Sequence, residues 1–323
     1  MILGGNTLKK KDLILALLVV IVWGANFTVV KLGLSGVPSM LLVFLRYLIT
    51  SLAVFFVKKP NTEWKYIILY GLTVGVGQFS CLFYAMEIGM PAGLASILLQ
   101  LQAFISPFIA ILFLKQRIKV KQLIGFFTAA LGLLTIGIAS GGTEDVSSIP
   151  ANALLLTICA PFFWALGNIV VSLASEKATA KGETLDMLGL VVWSSLVPPL
   201  PMLGFALIID TPQTLVSAVL NLNAMSIFSV LYLALGATLF GYGVWNLLIA
   251  KYTIGKIAPL SLLVPITGLL TARIVLFEQL SKMQWIGVLI ILAGLMLTSL
   301  NADMVTYYID KVKIKKRKMK LNK

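Results

Sequence analysis

The stretch LILALLVVIVWGANFTVVKLG, residues 13–33, decides the fold. It is apolar almost throughout, and a helix of about 20 such residues crosses the hydrocarbon core of a bilayer. Comparable apolar stretches recur along the whole chain, so we predict an all-α polytopic membrane protein with ten transmembrane helices. The predicted segments are approximately 13–33, 38–57, 66–86, 91–114, 121–139, 152–174, 186–209, 223–250, 256–277 and 283–300.

Composition excludes an ordinary soluble domain. Of 323 residues, 59% are hydrophobic and 12% charged, with a mean hydropathy of +0.99, whereas a soluble domain is about 25% charged. The net charge of +14 arises from basic residues in short loops and in the tail 311–323. That placement favours anionic lipids at the cytoplasmic face, at about 1 kcal/mol per residue, and not nucleic acid.

The side-chain inventory also limits the chemistry. The chain has no histidine, and its two cysteines, Cys81 and Cys159, lie singly in apolar segments. Free cysteines of this kind behave as small apolar residues. No Walker motif is present, and none of the 12 acidic residues lies deep in a predicted helix. We therefore expect no metal, no cofactor and no enzyme activity, and the coupling of transport to an energy source stays open.

Loop charges give the orientation. Lysine and arginine are concentrated in alternate loops on the N-terminal side and in the tail, whereas only Lys31 and Lys282 fall in loops on the other side. Because positive loops stay in the cytoplasm, both termini are expected there.

The two halves of the chain resemble each other. Trp23-Gly-Ala-Asn26 in the first segment is similar to Trp164-Ala-Leu-Gly-Asn168 in the sixth, and residues 117–125 match 279–287 at a constant offset of 162. Five spans per half is an odd number, so the second half enters the membrane from the opposite side. We predict a 5+5 inverted repeat with units 1–140 and 152–302, a connecting loop 141–151 and a basic cytoplasmic tail 303–323. Inverted repeats of this kind are typical of secondary transporters, whose substrate site lies near the midplane.

Polar side chains within the predicted helices are candidates for that site, because each needs a partner or a wet cavity. Trp23 and Asn26 share one helix face, as do Trp164 and Asn168. Each pair fits a cavity wall, with the indole stacking on substrate and the amide bonding its polar groups. A hydrogen bond between helices beside a packing tryptophan explains them equally well.

The third and fourth segments add three glutamines. Gln100 shares a face with Ser96, but Gln102 points away by roughly 200°, so one glutamine faces a cavity and the other joins two helices. The equivalents at offset 162 are Leu262 and Val264, which makes the polar wall asymmetric. Gln78 in the third segment is a further candidate.

Two arginines lie within predicted helices. Arg46 costs about 2.5–3.5 kcal/mol to insert; it either binds a substrate carboxylate bidentately or snorkels or caps a carbonyl. Arg273 lies five residues before Glu278, where we expect snorkelling with a local ion pair.

Several motifs resemble the EamA family of the drug/metabolite transporter superfamily. They are VWGANFTVVKLGL (22–34), GMPAGLASILLQLQAF (89–104), LKQRIKVKQLIG (114–125), WALGNIV (164–170), GYGVWNLLIAKY (241–252) and IAPLSLLVPITGLL (257–270). The resemblance covers nearly the whole chain. It implies efflux of small amino-acid metabolites such as O-acetylserine and cysteine across a bacterial inner membrane, through a central cavity between two five-helix bundles.

The resemblance also implies a set of cavity residues. Those standing in matching motifs are Trp23, Asn26, Gln100, Gln102, Trp164, Asn168, Tyr242 and Ser261, and Arg46 fits the family's second-helix arginine. The chain departs from the family at Gln116-Arg117 and Glu278-Gln279, where an acidic residue followed by arginine is usual, and at Arg273. The first two departures put any conserved gating ion pair in doubt.

The function predicted is an alternating-access exporter of a small-molecule substrate; a homodimer is compatible with it. A broader exporter of drugs or aromatic metabolites is the alternative if the cavity is wide and aromatic. A membrane sensor or scaffold that does not transport is the alternative from another class.

Overall fold

The structure, a computed structural model, describes residues 9–114, 120–141, 149–252 and 257–299. Those ranges are helical and contain no strand. The helices are α1 (Lys10–Leu34), α2 (Ser39–Phe55), α3 (Trp64–Glu87), α4 (92–114), α5 (Val120–Gly141), α6 (Ala151–Ala180), α7 (Met187–Ser194), α8 (Pro199–Ile209), α9 (Pro212–Leu220), α10 (224–252), α11 (258–275) and α12 (Lys282–Ser299).

Several of these helices are long enough to cross a membrane. Among the described residues, α1, α3, α4, α6 and α10 have the length and hydropathy of a span, and α7 with α8 makes a sixth if the bent pair is counted as one. Shorter apolar helices lie in α2, α5, α11 and α12. Many large apolar side chains point outward, Leu200 and Ile208 each at 80% exposure. A surface this apolar is suited to lipid and not to water.

One predicted segment is broken. The sequence predicts a single helix over 186–209, but the structure bends it by 42° between α7 and α8. Pro198, Pro199 and Pro201 cluster at the break, and each lacks the N–H that would continue the helix. The short helix α9, which follows α8, was not predicted.

Irregular turns recur at matching positions in the two halves. α3 is π-helical over Gly71–Gln78 and α10 over Tyr232–Phe240, while 3-10 turns occupy Leu99–Leu101 in α4 and Ala258–Leu263 in α11. The π-helical turns end at residues 78 and 240 and the 3-10 turns end at residues 101 and 263, so both pairs of ends are separated by the offset of 162. π-Helical turns are rare and frequently mark functional sites.

Small residues allow helices from the two halves to pack closely. α5 and α12 meet at Gly132 and Gly287, where a Cβ atom on either residue would lie 2.7 Å from the carbonyl oxygen of the other. Only glycine permits this approach, which is how membrane helices associate without a hydrophobic driving force.

Glu278 links α11 to the start of α4. Its carboxylate oxygens accept hydrogen bonds from the backbone N–H groups of Ala92 and Gly93, at 2.7 and 2.9 Å. Phe277 supplies the turn, with a φ of 56° that is uncommon outside glycine. A carboxylate at a helix N-terminus satisfies unpaired donors and stabilises the helix dipole.

This arrangement corrects one expectation. The ion pair predicted between Arg273 and Glu278 is not formed; the carboxylate binds backbone N–H groups instead, and Arg273 is exposed. The Gln116-Arg117 motif, the tail 303–323 and most of the loop 141–151 lie outside the described residues.

Candidate functional site

A small cavity lies between helices of the two halves. α2 and α3 form one wall, and α7 and α10 form the other. The lining residues are Arg46, Tyr47, Tyr70, Gly71, Val74, Gly75, Phe79, Val191, Ser194, Thr238 and Tyr242. The free space holds about one water molecule. A larger guest therefore requires the two walls to separate.

Arg46 is the charged group of this cavity. It is 4% exposed, and its Nη2 donates a 3.0 Å hydrogen bond to Thr238 Oγ1. Its Nε and Nη1 atoms are buried and have no hydrogen-bond partner among the residues that the structure describes. Leaving a buried charged donor unpaired carries a substantial desolvation cost. The guanidinium is thus prepared to receive an acceptor that the protein itself does not provide.

Aromatic rings and hydroxyls surround the guanidinium. Its Cζ atom lies 4.2 Å from the centre of the Phe79 ring and 5.6 Å from that of Tyr47. These cation–π contacts stabilise a cation away from water. Tyr70, Tyr242 and Ser194 contribute further hydroxyl groups to the lining. The site combines one fixed positive charge with neutral groups that both donate and accept hydrogen bonds.

Irregular helix turns position the site. Thr238 lies in the π-helical turn of α10, where its Oγ1 donates to Leu233 O at 2.8 Å while accepting from Arg46. The π-helical turn of α3 presents Gly71 and Gly75 to the break between α7 and α8. A Cβ atom on Gly75 would lie 2.3 Å from Pro198 Cγ. The absence of side chains here lets α3 approach the opposite wall.

Two of the ten predicted site residues line the cavity and a third supports it. Arg46 and Tyr242 are lining residues. The indole of Trp23 packs against Tyr242 and Trp245, at centroid distances of 5.4 and 5.1 Å, and its Nε1 donates to Ala237 O at 2.9 Å. Trp23 therefore fixes the position of Tyr242 from behind.

Gln102 and Asn168 instead join α4 to α6. Asn168 Nδ2 donates to Gln102 Oε1 at 2.8 Å and to Ser106 Oγ at 3.1 Å. Neither residue lines the cavity. This is the geometry of an interhelical hydrogen bond, the second of the two interpretations that the sequence left open for Asn168.

The remaining predicted residues lie elsewhere. Asn26 and Gln78 are buried, at 8% and 4% exposure, each with its side-chain oxygen unpaired. Gln100, Trp164 and Ser261 are partly buried on α4, α6 and α11. None of these five belongs to the lining.

Sequence reasoning missed most of the cavity wall, notably Tyr47, Tyr70, Phe79, Ser194 and Thr238. One signal was available: Tyr70 has an identical counterpart, Tyr232, at the offset of 162. Hydroxyl-bearing residues next to a membrane arginine, such as Tyr47, also merited attention, because a buried cation needs polar neighbours.

The acidic residues stand apart from this site. No aspartate or glutamate is among the lining residues. In the ranges that the structure covers, acidic and cysteine side chains form no group of three able to hold a metal ion. The charge among the lining residues is therefore that of Arg46.

Comparisons with known proteins show the family of the chain. The model of the EamA-like transporter family matches residues 10–138 and again 151–300. A probable amino-acid metabolite efflux pump of Salmonella typhimurium is 40% identical over 289 residues, which cover 89% of this chain and 94% of the relative. A protein described in the same words from Escherichia coli is 38% identical over the same shares.

A more distant relative and a solved structure extend the likeness. A probable terminal-alkyne amino-acid exporter of Streptantibioticus cattleyicolor is 25% identical, over 87% of this chain and 90% of the relative. A protein of known crystal structure superposes with a TM-score of 0.59 at 14% identity, covering 92% of this chain and 99% of that one, which shows a common fold. The present chain is a multi-pass membrane protein, and it belongs to the EamA-like transporter family.

Proposed function

We propose that this protein exports small amino-acid metabolites such as O-acetylserine and cysteine by alternating access. The relatives named as amino-acid metabolite efflux pumps support this substrate class. The observation that carries the proposal is the cavity between the two halves, closed around a buried arginine with unpaired donors. An amino-acid carboxylate supplies the acceptor that Arg46 lacks.

The proposed architecture is a 5+5 inverted repeat, with units 1–140 and 152–302. The long helices, the bent pair and the shorter apolar helices together support ten crossings. The recurrence of π-helical and 3-10 turns at one offset supports a duplicated unit, as do the two stretches matched by the family model. Two inverted units with a cavity between them can rock to expose it to either side.

We place the protein in the inner membrane with both termini in the cytoplasm. The asymmetry of loop lysines and arginines supports this orientation. Basic residues of the tail 303–323 would then face the anionic cytoplasmic leaflet.

The alternative is a broader exporter of drugs or aromatic metabolites, and the charge of the cavity argues against cationic drugs as its substrates. The lining is aromatic but not wide, and its fixed charge is positive. A cationic drug entering it would meet Arg46 in a medium of low dielectric constant, where like charges repel strongly.

Exchange in proteoliposomes tests the proposal. Vesicles preloaded with unlabelled O-acetylserine or cysteine should accumulate the labelled compound from outside, with and without a pH gradient as separate arms. Arg46→Gln should abolish this counterflow, whereas Arg273→Gln, which removes an exposed charge, should preserve it. Absence of counterflow by the unaltered protein would contradict the proposal and favour a sensor or scaffold.

A further inference from the structure

We infer that the cavity recognises the carboxylate of its substrate and not the ammonium group, and that it therefore accepts small carboxylates without an amine. The inference rests on the proposed function, because it concerns the same cavity. It extends the substrate class from amino acids to thiol- or hydroxyl-bearing monocarboxylates.

The first step is the unpaired guanidinium. Arg46 donates one hydrogen bond to Thr238 and is 4% exposed. Among the described residues, its Nε and Nη1 atoms have no acceptor. Carboxylates are the natural partners of such a group, since they accept two parallel N–H bonds from a guanidinium edge. Nε and Nη1 lie on different edges of the guanidinium, so a carboxylate pairs with one of them and with the second N–H of Nη2. One edge of Arg46 thus offers both donors that a carboxylate takes.

The second step is the missing partner for an ammonium group. The lining contains no carboxylate. Acidic side chains with described contacts are engaged elsewhere: Glu278 and Asp186 accept from backbone N–H groups, and Glu87 accepts from Ser39. An ammonium group in the cavity would meet no acidic side chain among the lining residues.

The third step concerns the aromatic faces. Cation–π contact is the usual substitute for an acidic partner. Here Arg46 itself lies 4.2 Å from the centre of the Phe79 ring and 5.6 Å from that of Tyr47. Two of the ring faces near the guanidinium are thus already occupied by a cation.

The charge balance leads to the ranking of ligands. The cavity alone carries one buried positive charge. A monoanion neutralises it, a zwitterion leaves the total unchanged, and a cation doubles it. Because an uncompensated charge in a low-dielectric site is costly, the amine-free carboxylate should bind at least as tightly as the amino acid.

Three compounds that differ by one group test this ranking. Cysteine has both groups, 3-mercaptopropionate lacks the amine, and cysteamine lacks the carboxylate. Their apparent affinities can be measured by thermal unfolding of the purified full chain in detergent, near neutral pH with a reductant present. We expect 3-mercaptopropionate to match or exceed cysteine. Cysteamine should be weaker by about 100-fold, as the loss of a bidentate charge-assisted contact implies.

The variants locate the effect. Arg46→Gln should abolish the preference for 3-mercaptopropionate over cysteamine, and Arg273→Gln should retain it. If Arg46→Gln does not fold, Arg46→Lys can replace it, because lysine keeps the charge but not the planar fork. Arg46→Lys should reduce the preference for 3-mercaptopropionate over cysteamine by about tenfold. The ranking of the three compounds can be measured on the unaltered protein alone.

The inference is overturned if cysteamine binds within about threefold of 3-mercaptopropionate, or if neither carboxylate stabilises the protein. Counterflow decides the proposed function separately. Carboxylate-selective binding without counterflow of O-acetylserine or cysteine would sustain the inference and reject the exporter.

Discussion

Replacing Thr238 with valine tests how the cavity holds its arginine. Thr238 is 2% exposed and accepts a hydrogen bond from Arg46 Nη2 at 3.0 Å. Valine has nearly the same shape but offers no acceptor. Thr238→Val therefore adds a further unpaired donor to a guanidinium that already has two unpaired nitrogens.

The magnitude follows from the bonds that are lost. A hydrogen bond to a charged group contributes about 1.5–3 kcal/mol. The second bond of Thr238, to Leu233 O at 2.8 Å, adds about 0.6 kcal/mol, the average for hydrogen bonds in a membrane protein. We expect Thr238→Val to lower the free energy of unfolding by about 2–3.5 kcal/mol. Because the arginine then loses its fixed orientation, the KM of transport should rise by about tenfold, equivalent to about 1.4 kcal/mol.

The assays are thermal unfolding in detergent and concentration-dependent counterflow in proteoliposomes. Thr238→Ser is the matched control, since it keeps the hydroxyl in place and should stay near the unaltered protein in KM. Equal unfolding midpoints and equal KM values for the valine and serine variants would refute the role assigned to Thr238.

Three further perturbations address the walls and the helix contacts. Gly75→Val should destabilise the protein by about 1–3 kcal/mol or abolish transport, because its Cβ would lie 2.3 Å from a proline ring of the opposite wall. Gly204→Ala is the control: its Cβ meets nothing within 4 Å, so it should change neither the unfolding midpoint nor counterflow. Asn168→Ala should cost about 1 kcal/mol in unfolding free energy with KM unchanged, because its partners join α4 to α6 away from the cavity; a raised KM would return Asn168 to the site. Hydrogen bonds from Lys177 and Lys65 lower the pKa of Glu63 from 4.5 to about 2. Any stabilisation by this exposed carboxylate is therefore complete above its ordinary pKa and is lost progressively as pH falls from there through about 2. The difference in unfolding midpoint between Glu63→Gln and the unaltered protein should accordingly stay constant between about pH 5 and 8, and a drift in that window would contradict the assignment.

The fold could be predicted from the sequence where the signal was hydropathy. Long apolar segments determine helices in a bilayer, since every backbone group must be paired within the segment, and most predicted boundaries fall within a few residues of the observed ones. The break between α7 and α8 was harder to predict from the sequence. Pro198, Pro199 and Pro201 indicate a distortion, but proline in a membrane helix is compatible with either a kink or a break.

The candidate site was predictable only in part. Arg46 could be found because a charge inside a membrane helix is costly in any context. Asn168 and Gln102 are also polar residues within membrane helices, yet they form a hydrogen bond with each other. That contact depends on the register of α4 against α6, which the sequence does not give. Thr238 gave no signal, because a threonine in a membrane helix usually bonds its own backbone. Its role depends on a π-helical turn that directs it toward Arg46, and such turns are not encoded in residue periodicity.

Accessibility of Ser194 tests the central claim most directly, namely that the cavity around Arg46 is the transport site and opens alternately to both sides. Ser194 lines the cavity at 3% exposure. A Ser194→Cys variant in a background of Cys81→Ser and Cys159→Ser can be exposed to a small membrane-impermeant thiol reagent in right-side-out and inside-out vesicles. We predict modification from both sides and protection by O-acetylserine in each orientation. Modification from one side only, or modification that O-acetylserine does not slow, would contradict the claim.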